Sequence, residues 1–117
     1  MSPKEPNLEP QNLTKHFNEA LILSALRRGP KHGYQLALDI EEGSGGRFGF
    51  KHGTLYPILH KLEKDGLIEG AWSDEGQRGK RKRYQLTVEG RRYLQLLRRS
   101  WKLLLERFTD LVGEEEE

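Results

Sequence analysis

GTLYPILHKLEKDGLIEGAW, residues 53–72, carries the reading of the fold. Leu55, Ile58, Leu59 and Leu62 follow one another at steps of 3, 1 and 3, the spacing of a single buried stripe on a helix. Asp65-Gly66 stops that helix, and from Leu67 the period drops from 3.6 to 2. The opposite face of the helix holds Tyr56, Pro57, His60, Lys61 and Lys64. A helix that meets only water more often shows Glu, Lys, Gln and Ala there. The spacing therefore predicts a helix from Lys51 or His52 to Lys64 whose outer face is made for a partner.

Working outward, Leu67–Ser73 and Arg81–Thr87 are strand candidates around the turn-rich DEGQRGK, a β-hairpin with a loose basic tip. Alternation places Tyr84 and Leu86 inward on the second strand, and Trp72 is expected to pack in the hairpin. Upstream, Asn12–Arg28 is helical, apolar nearly all round in its second half, and ended by Gly29-Pro30. A shorter helix follows over Gly33–Glu41, with Leu36, Ala37 and Ile40 inside. GSGGRFG, residues 43–49, has four glycines in seven and cannot be regular structure. Downstream, Thr87 caps a long helix from Val88 to about Val112. The fold class is mainly α with a small β-hairpin (α+β), a winged helix-turn-helix with a long helix appended. The organisation expected is a flexible arm over 1–11, a winged helix-turn-helix over 12–87, a dimerisation helix over 88–112 and an acidic tail over 113–117.

With 117 residues, 34% hydrophobic and 32% charged, the chain has material for one small domain that is marginally stable alone. The absence of cysteine excludes disulfides, thiol catalysis and Cys-based zinc sites. No run approaches the roughly 20 apolar residues of a membrane span, and no secretion signal is visible, so a cytoplasmic protein is expected. Setting aside Lys4, Glu5, Glu9 and the glutamate tail leaves 19 basic and 12 acidic residues over 12–113, a balance of +7. A basic body with a short acidic tail fits a polyanion-binding core.

Two stretches supply the chemistry for that polyanion. In a helix-turn-helix the second helix enters the major groove of DNA with its N-terminal residues against base edges. Tyr56, His60 and Thr54 can hydrogen-bond to bases or phosphates, and Lys61 and Lys64 can neutralise phosphates. Pro57 either shapes the helix start near Thr54 or bends the helix over Gly53, because an interior proline clashes with the carbonyl four residues back. Gln77–Arg83, QRGKRKR, has five basic residues in seven. Such a loop gives salt-sensitive, sequence-tolerant affinity through counterion release. The candidate DNA-binding residues are Tyr34, Lys51, His52, Gly53, Thr54, Tyr56, Pro57, His60, Lys61, Lys64, Arg78, Lys80, Arg81, Lys82 and Arg83.

Leu94, Leu97, Trp101, Leu104, Phe108 and Leu111, at steps of 3, 4, 3, 4 and 3, form an a/d seam. A 25-residue helix is about 37 Å long, so its far half lies beyond its own domain. Exposing that seam would leave an unusually large apolar patch. A homodimer is the consistent answer, with Phe17 and Leu21 of the first helix joining the interface. Two-fold symmetry then sets two recognition helices about 34–36 Å apart, one turn of double-stranded DNA. Trp101 either fills space in that seam or lines a pocket for an aromatic or planar effector.

Rival readings are an enzyme and a winged helix used for protein interaction or RNA binding. The four histidines, His16, His32, His52 and His60, form no metalloprotease pair, GSGG lacks the Lys-Ser/Thr of a phosphate loop, and no cofactor or metal is expected. LILSALRRGPKHGYQLALDIEE (21–42), KHGTLYPILHKLEKDGLIEGAW (51–72) and GKRKRYQLTVEGRRYL (79–94) together resemble the PadR family of bacterial transcriptional regulators. Gly33-Tyr34, Gly53–Pro57, the L-x-x-L-E-x-x-G-L-I of Leu59–Ile68, Trp72 and the Y-x-L-T-x-x-G-R of Tyr84–Arg91 carry the resemblance. It implies a winged-helix dimer joined through the C-terminal helix and a repressor released by a small molecule. Where many members of the family carry Ser-Pro before this Gly-Thr-Leu-Tyr, this chain has Lys51-His52.

Overall fold

The computed structural model describes residues 5–73 and 81–113. A 3-10 turn at Pro10–Asn12 leads into α1 (Leu13–Ala25). β1 (Lys31–His32), α2 (Gly33–Gly43), α3 (His52–Lys64), β2 (Ile68–Ser73), β3 (Arg81–Leu86) and α4 (Val88–Val112) follow. The sheet order is β1-β3-β2, antiparallel throughout, with Lys31 opposite Tyr84 and Ile68 opposite Leu86. β1 is the element the sequence did not announce, because two residues are too few to display a period of 2. α1 also stops at Ala25, three residues short of expectation, and Leu26–Arg28 turn before Gly29 at φ 148°.

The core gathers one stripe from each element: Ile22, Leu23 and Leu26 of the α1 end, Leu36 and Ile40 of α2, and Leu55, Leu59 and Leu62 of α3. Leu67 just before β2, Ile68, Tyr84 and Leu86 of the sheet and Tyr93, Leu94 and Leu97 of α4 complete it. Ile58, counted by period with the α3 stripe, is only partly buried at its edge.

α3 begins at His52 with Lys51 as its extended N-cap, and Lys51 O accepts from Thr54 and Leu55 N–H, each at 2.9 Å. Pro57 is therefore well inside the helix, and the idea of a start at Thr54 fails. Asp65-Gly66 closes α3 in a Schellman arrangement: Gly66 takes φ 78° and Leu67 N–H reaches Leu62 O at 3.0 Å. α4 starts on the same corner. Thr87 Oγ1 accepts from Gly90 N–H at 2.9 Å and donates to Gly66 O at 2.6 Å. A Cβ on Gly90 would stand 1.9 Å from Leu67 O, so only glycine lets α4 lie this close to the chain entering β2.

Between α1 and α4 lies a polar cluster that hydrophobic periodicity did not reveal. His16 Nδ1 and the Tyr93 hydroxyl both donate to Glu19 Oε1, at 2.6 and 2.8 Å, and all three residues are buried. Burial, then the bond to Glu19, raises the Tyr93 phenol far above its usual 10.0. For a group whose folded pKa is raised, the stabilisation is complete below pH 10 and fades as the pH climbs beyond it. Tyr93→Phe is therefore expected to cost about 1–3 kcal/mol at pH 7, since Glu19 loses a buried partner. It should also remove part of the alkaline loss of stability. Chemical denaturation at pH 7 and pH 10.5 measures both.

Candidate nucleic-acid interface

α2 and α3 form a helix-turn-helix whose second member leaves one face uncovered. Leu55, Leu59 and Leu62 are buried, whereas Lys51, His52, Gly53, Thr54, Tyr56, Pro57, His60, Lys61 and Lys64 are exposed. Tyr56 is 41% exposed yet held in place: its ring lies so near Gly33 that a Cβ there would meet the hydroxyl at 2.7 Å. The glycine at the start of α2 is thus what lets the tyrosine of α3 lie against the other helix of the motif. His52 meets the Tyr56 ring edge-on at 5.7 Å.

Beside this face an open groove of about 800 Å³ separates α3 from the sheet. Its α3 wall is His52, Tyr56, Pro57, His60 and Glu63; the opposite wall is His32, Tyr34, Trp72, Arg81, Lys82 and Tyr84. His32 and Tyr34 lie parallel at 6.2 Å, and the Arg81 guanidinium sits 5.6 Å from the Tyr34 ring centre. The α3 surface, Tyr34 and Arg81 thus share one concave front. Arg83 is exposed and does not line the groove.

Lys82, Trp72 and the start of the α4 seam sit differently from expectation. Lys82, expected as a phosphate-binding cation, makes an ion pair within its own chain. Its alternation partners Tyr84 and Leu86 are core residues, so it turns into the groove, where Nζ donates to Glu63 Oε1 at 2.7 Å. That bond holds the Glu63 carboxyl below its ordinary range and the Lys82 ammonium above its own. Trp72 does not pack within the hairpin. It stands opposite Lys82 on the inner face of the sheet, but past the end of the core, and is 65% exposed. Leu94 and Leu97 do not offer a surface to a second copy, because α1 and the sheet of their own chain bury them completely or nearly so.

Lys61 pairs with Asp65 at 3.0 Å, and neither Lys61 nor Lys64 lines the groove. Arg78 and Lys80 lie outside the described residues. His32, Gly33, Glu63, Trp72 and Tyr84 line the groove but are missing from the sequence-based set. An acidic residue and a residue from a two-residue strand gave no basic or periodic signal.

Further along α4 the coverage ends. Trp101 is half-buried, with Phe17 edge-on at 5.8 Å and its indole N–H 3.4 Å from His16 O. Phe17 in turn meets Phe48 of the glycine-rich loop at 4.8 Å. Leu21 and Leu104 are half-buried, and Leu103, Leu105, Phe108, Leu111 and Val112 are exposed. Among the described residues no helix is long and apolar enough to cross a membrane, and no group of His, Asp and Glu is arranged to hold a metal.

The family model of the transcriptional regulator PadR-like family matches residues 22–96, from α1 into α4. The negative transcriptional regulator PadR of Bacillus subtilis is 34% identical over 73 residues, covering 62% of this chain and 40% of that longer protein. An uncharacterised protein of Lysinibacillus sphaericus is 32% identical over 83 residues, 71% of this chain and 76% of its own length. A transcriptional regulator structure from Clostridium thermocellum superposes with a TM-score of 0.79 at 26% identity, over 87% of this chain and 99% of that one. A PadR family transcription regulator structure from Clostridium difficile gives 0.73 at 30% identity, over 83% and 99%. With a matched region that contains the helix-turn-helix, the whole sheet and the first part of α4, the chain belongs to the PadR-like family of transcriptional regulators.

Proposed function

We propose that this chain reads double-stranded DNA as a homodimer, and that it is a repressor released by a small aromatic or planar effector. The observation that carries the DNA reading is the uncovered face of α3. His52, Tyr56, Pro57 and His60 stand there on a helix rigidly seated on α2, beside Tyr34 and Arg81 across the groove. A B-DNA major groove admits one helix, and its base edges offer donors and acceptors to phenol and imidazole groups. Dimerisation through α4 would cover Phe108 and Leu111. The repressor assignment draws on the name of the Bacillus subtilis relative. The effector site is Trp101, beside Phe17, where a planar molecule can stack. Unchanged tryptophan fluorescence across a panel of phenols, quinones and planar cations would exclude that site. The cytoplasm is where such a regulator works.

Tyr56→Ala is the direct test of the α3 face. Removing a positioned base contact costs about 1–3 kcal/mol in specific binding and much less in non-specific binding. The measurement is a gel shift on a duplex selected by the protein from a random pool, against an unselected duplex, a single strand and an RNA at two salt concentrations. Equal affinity for all of these points instead to a nucleic-acid or protein-interaction module without operator specificity. Unfolding of Tyr56→Ala would place the tyrosine in the core.

A further inference from the structure

Among the described residues, Glu63 is the one acidic side chain lining a groove that faces DNA in the reading above. Next to phosphates a carboxylate is repulsive, so its presence calls for a reason. The contacts supply one. Oε1 accepts from Lys82 Nζ at 2.7 Å, on β3, and Oε2 accepts from Gly70 N–H at 3.2 Å, on β2. One side chain of α3 therefore holds both strands of the hairpin stem. Gly70 N–H belongs to an edge strand and points away from β3, so without Glu63 it has no ladder partner. Gly70 also makes the space. A Cβ there would lie 2.3 Å from Lys82 Cε, so the lysine stem crosses the sheet where the glycine leaves a gap. The ammonium that crosses lies between two rings, 5.7 Å from the Trp72 centroid and 5.5 Å from that of Tyr84.

We infer that Glu63 is a positioning residue for DNA recognition: through Lys82 and Gly70 it sets where the β2–β3 stem stands against the recognition helix α3. This rests on the DNA-binding reading and adds a role for groups that touch no base. A helix in the major groove and a hairpin stem alongside it make contacts of the right spacing only if the angle between them is set in advance. Lys82, which composition would assign to phosphate neutralisation, is in this account spent on the protein itself.

The two roles give opposite results. If Glu63 were only a misplaced negative charge, Glu63→Ala would tighten binding to every duplex. As a positioning residue, its loss lowers the ratio of selected-duplex to random-duplex affinity about tenfold, while random-duplex affinity stays the same or rises. If Lys82 were a phosphate contact, Lys82→Ala would weaken both duplexes and reduce the salt slope by about 1. As the partner of Glu63, it lowers the ratio, leaves the slope unchanged, and adds nothing to Glu63→Ala in the double variant.

The experiment measures wild type, Glu63→Ala, Lys82→Ala and the double variant on a duplex enriched by the wild-type protein and on a random duplex, across a salt series. The amide resonance of Gly70 is followed in the full chain without DNA. Loss of the charged acceptor should shift that resonance upfield in Glu63→Ala. Glu63→Asp, which keeps charge and both acceptor oxygens, should recover part of the affinity ratio, and it replaces the alanine variant if that one melts at the assay temperature. A unit fall in slope for Lys82→Ala, or equal tightening on both duplexes for Glu63→Ala, overturns the inference while the DNA reading stands. Failure of the wild type to enrich any duplex overturns both, and is told apart by the wild-type data alone.

Discussion

Gly90→Ala is expected to lower the melting temperature by about 10–20 °C, the equivalent of roughly 3 kcal/mol in a domain of this size. Propensity alone argues the reverse, since alanine inside a helix is favoured over glycine by about 1 kcal/mol. The added methyl would stand 1.9 Å from Leu67 O, a backbone atom with no rotamer to escape into. Either α4 lifts off the corner or the chain before β2 moves. Each breaks the Thr87 bonds to Gly90 N–H and Gly66 O and loosens Leu94 and Leu97 against α1. Overpacking of a fitted site typically costs about 1–3 kcal/mol, occasionally more, and the lost cap adds about 1. Gly43→Ala is the control, because a Cβ there meets nothing within 4 Å. Thermal melts followed by circular dichroism should leave that variant within about 2 °C of wild type. A similarly small change for Gly90→Ala would refute the close seating of α4.

The second large effect concerns assembly. Phe108→Glu combined with Leu111→Glu is expected to give a monomer with the winged helix intact, and to lower affinity for a two-fold DNA site by about 10²–10⁴. Both side chains are mostly exposed, at 56% and 86%, so neither supports its own protomer's core. Four added carboxylates per dimer on an apolar seam would repel at close range and resist desolvation. Binding of the second half-site then ceases to be intramolecular, which is where the large factor comes from. Light scattering at micromolar concentration and titration on palindromic and half-site duplexes measure the two parts separately. A double variant that retains twice the chain mass and full affinity would place the interface elsewhere.

The helices and their inner stripes were legible because apolar residues recur at helical spacing, from Leu36 to Ile40, Leu55 to Leu62 and Leu94 to Leu111. Leu55, Leu59 and Leu62 fell inside as their spacing required, and Thr87 caps α4 as its position implied. The uncovered face of α3 was also readable, since Tyr56, Pro57 and His60 are odd choices for a helix meant for water. Leu94 and Leu97 were misassigned for a definite reason. A heptad seam looks the same whether its partner is a second copy or α1 of the same chain, and only packing shows that cover by the chain's own residues ends near Trp101.

Lys82 and Trp72 depended on something the pattern does not contain. Alternation correctly put Lys82 on the side of Tyr84 and Leu86, yet where the core ends along that face is set by how far α3 runs beside the sheet. Past that end, the inner face becomes a groove wall, and a lysine there meets Glu63 from 19 residues away in sequence. By itself the sequence determined the order of elements, the buried stripes, the cap at Thr87 and the chemistry offered by α3, because each depends on neighbours within a turn or two of chain. Only the tertiary structure decided the partners of Glu63, the exposure of Trp72, the fit of Tyr56 on Gly33 and of α4 on Leu67, because those are distances between segments that no local period encodes.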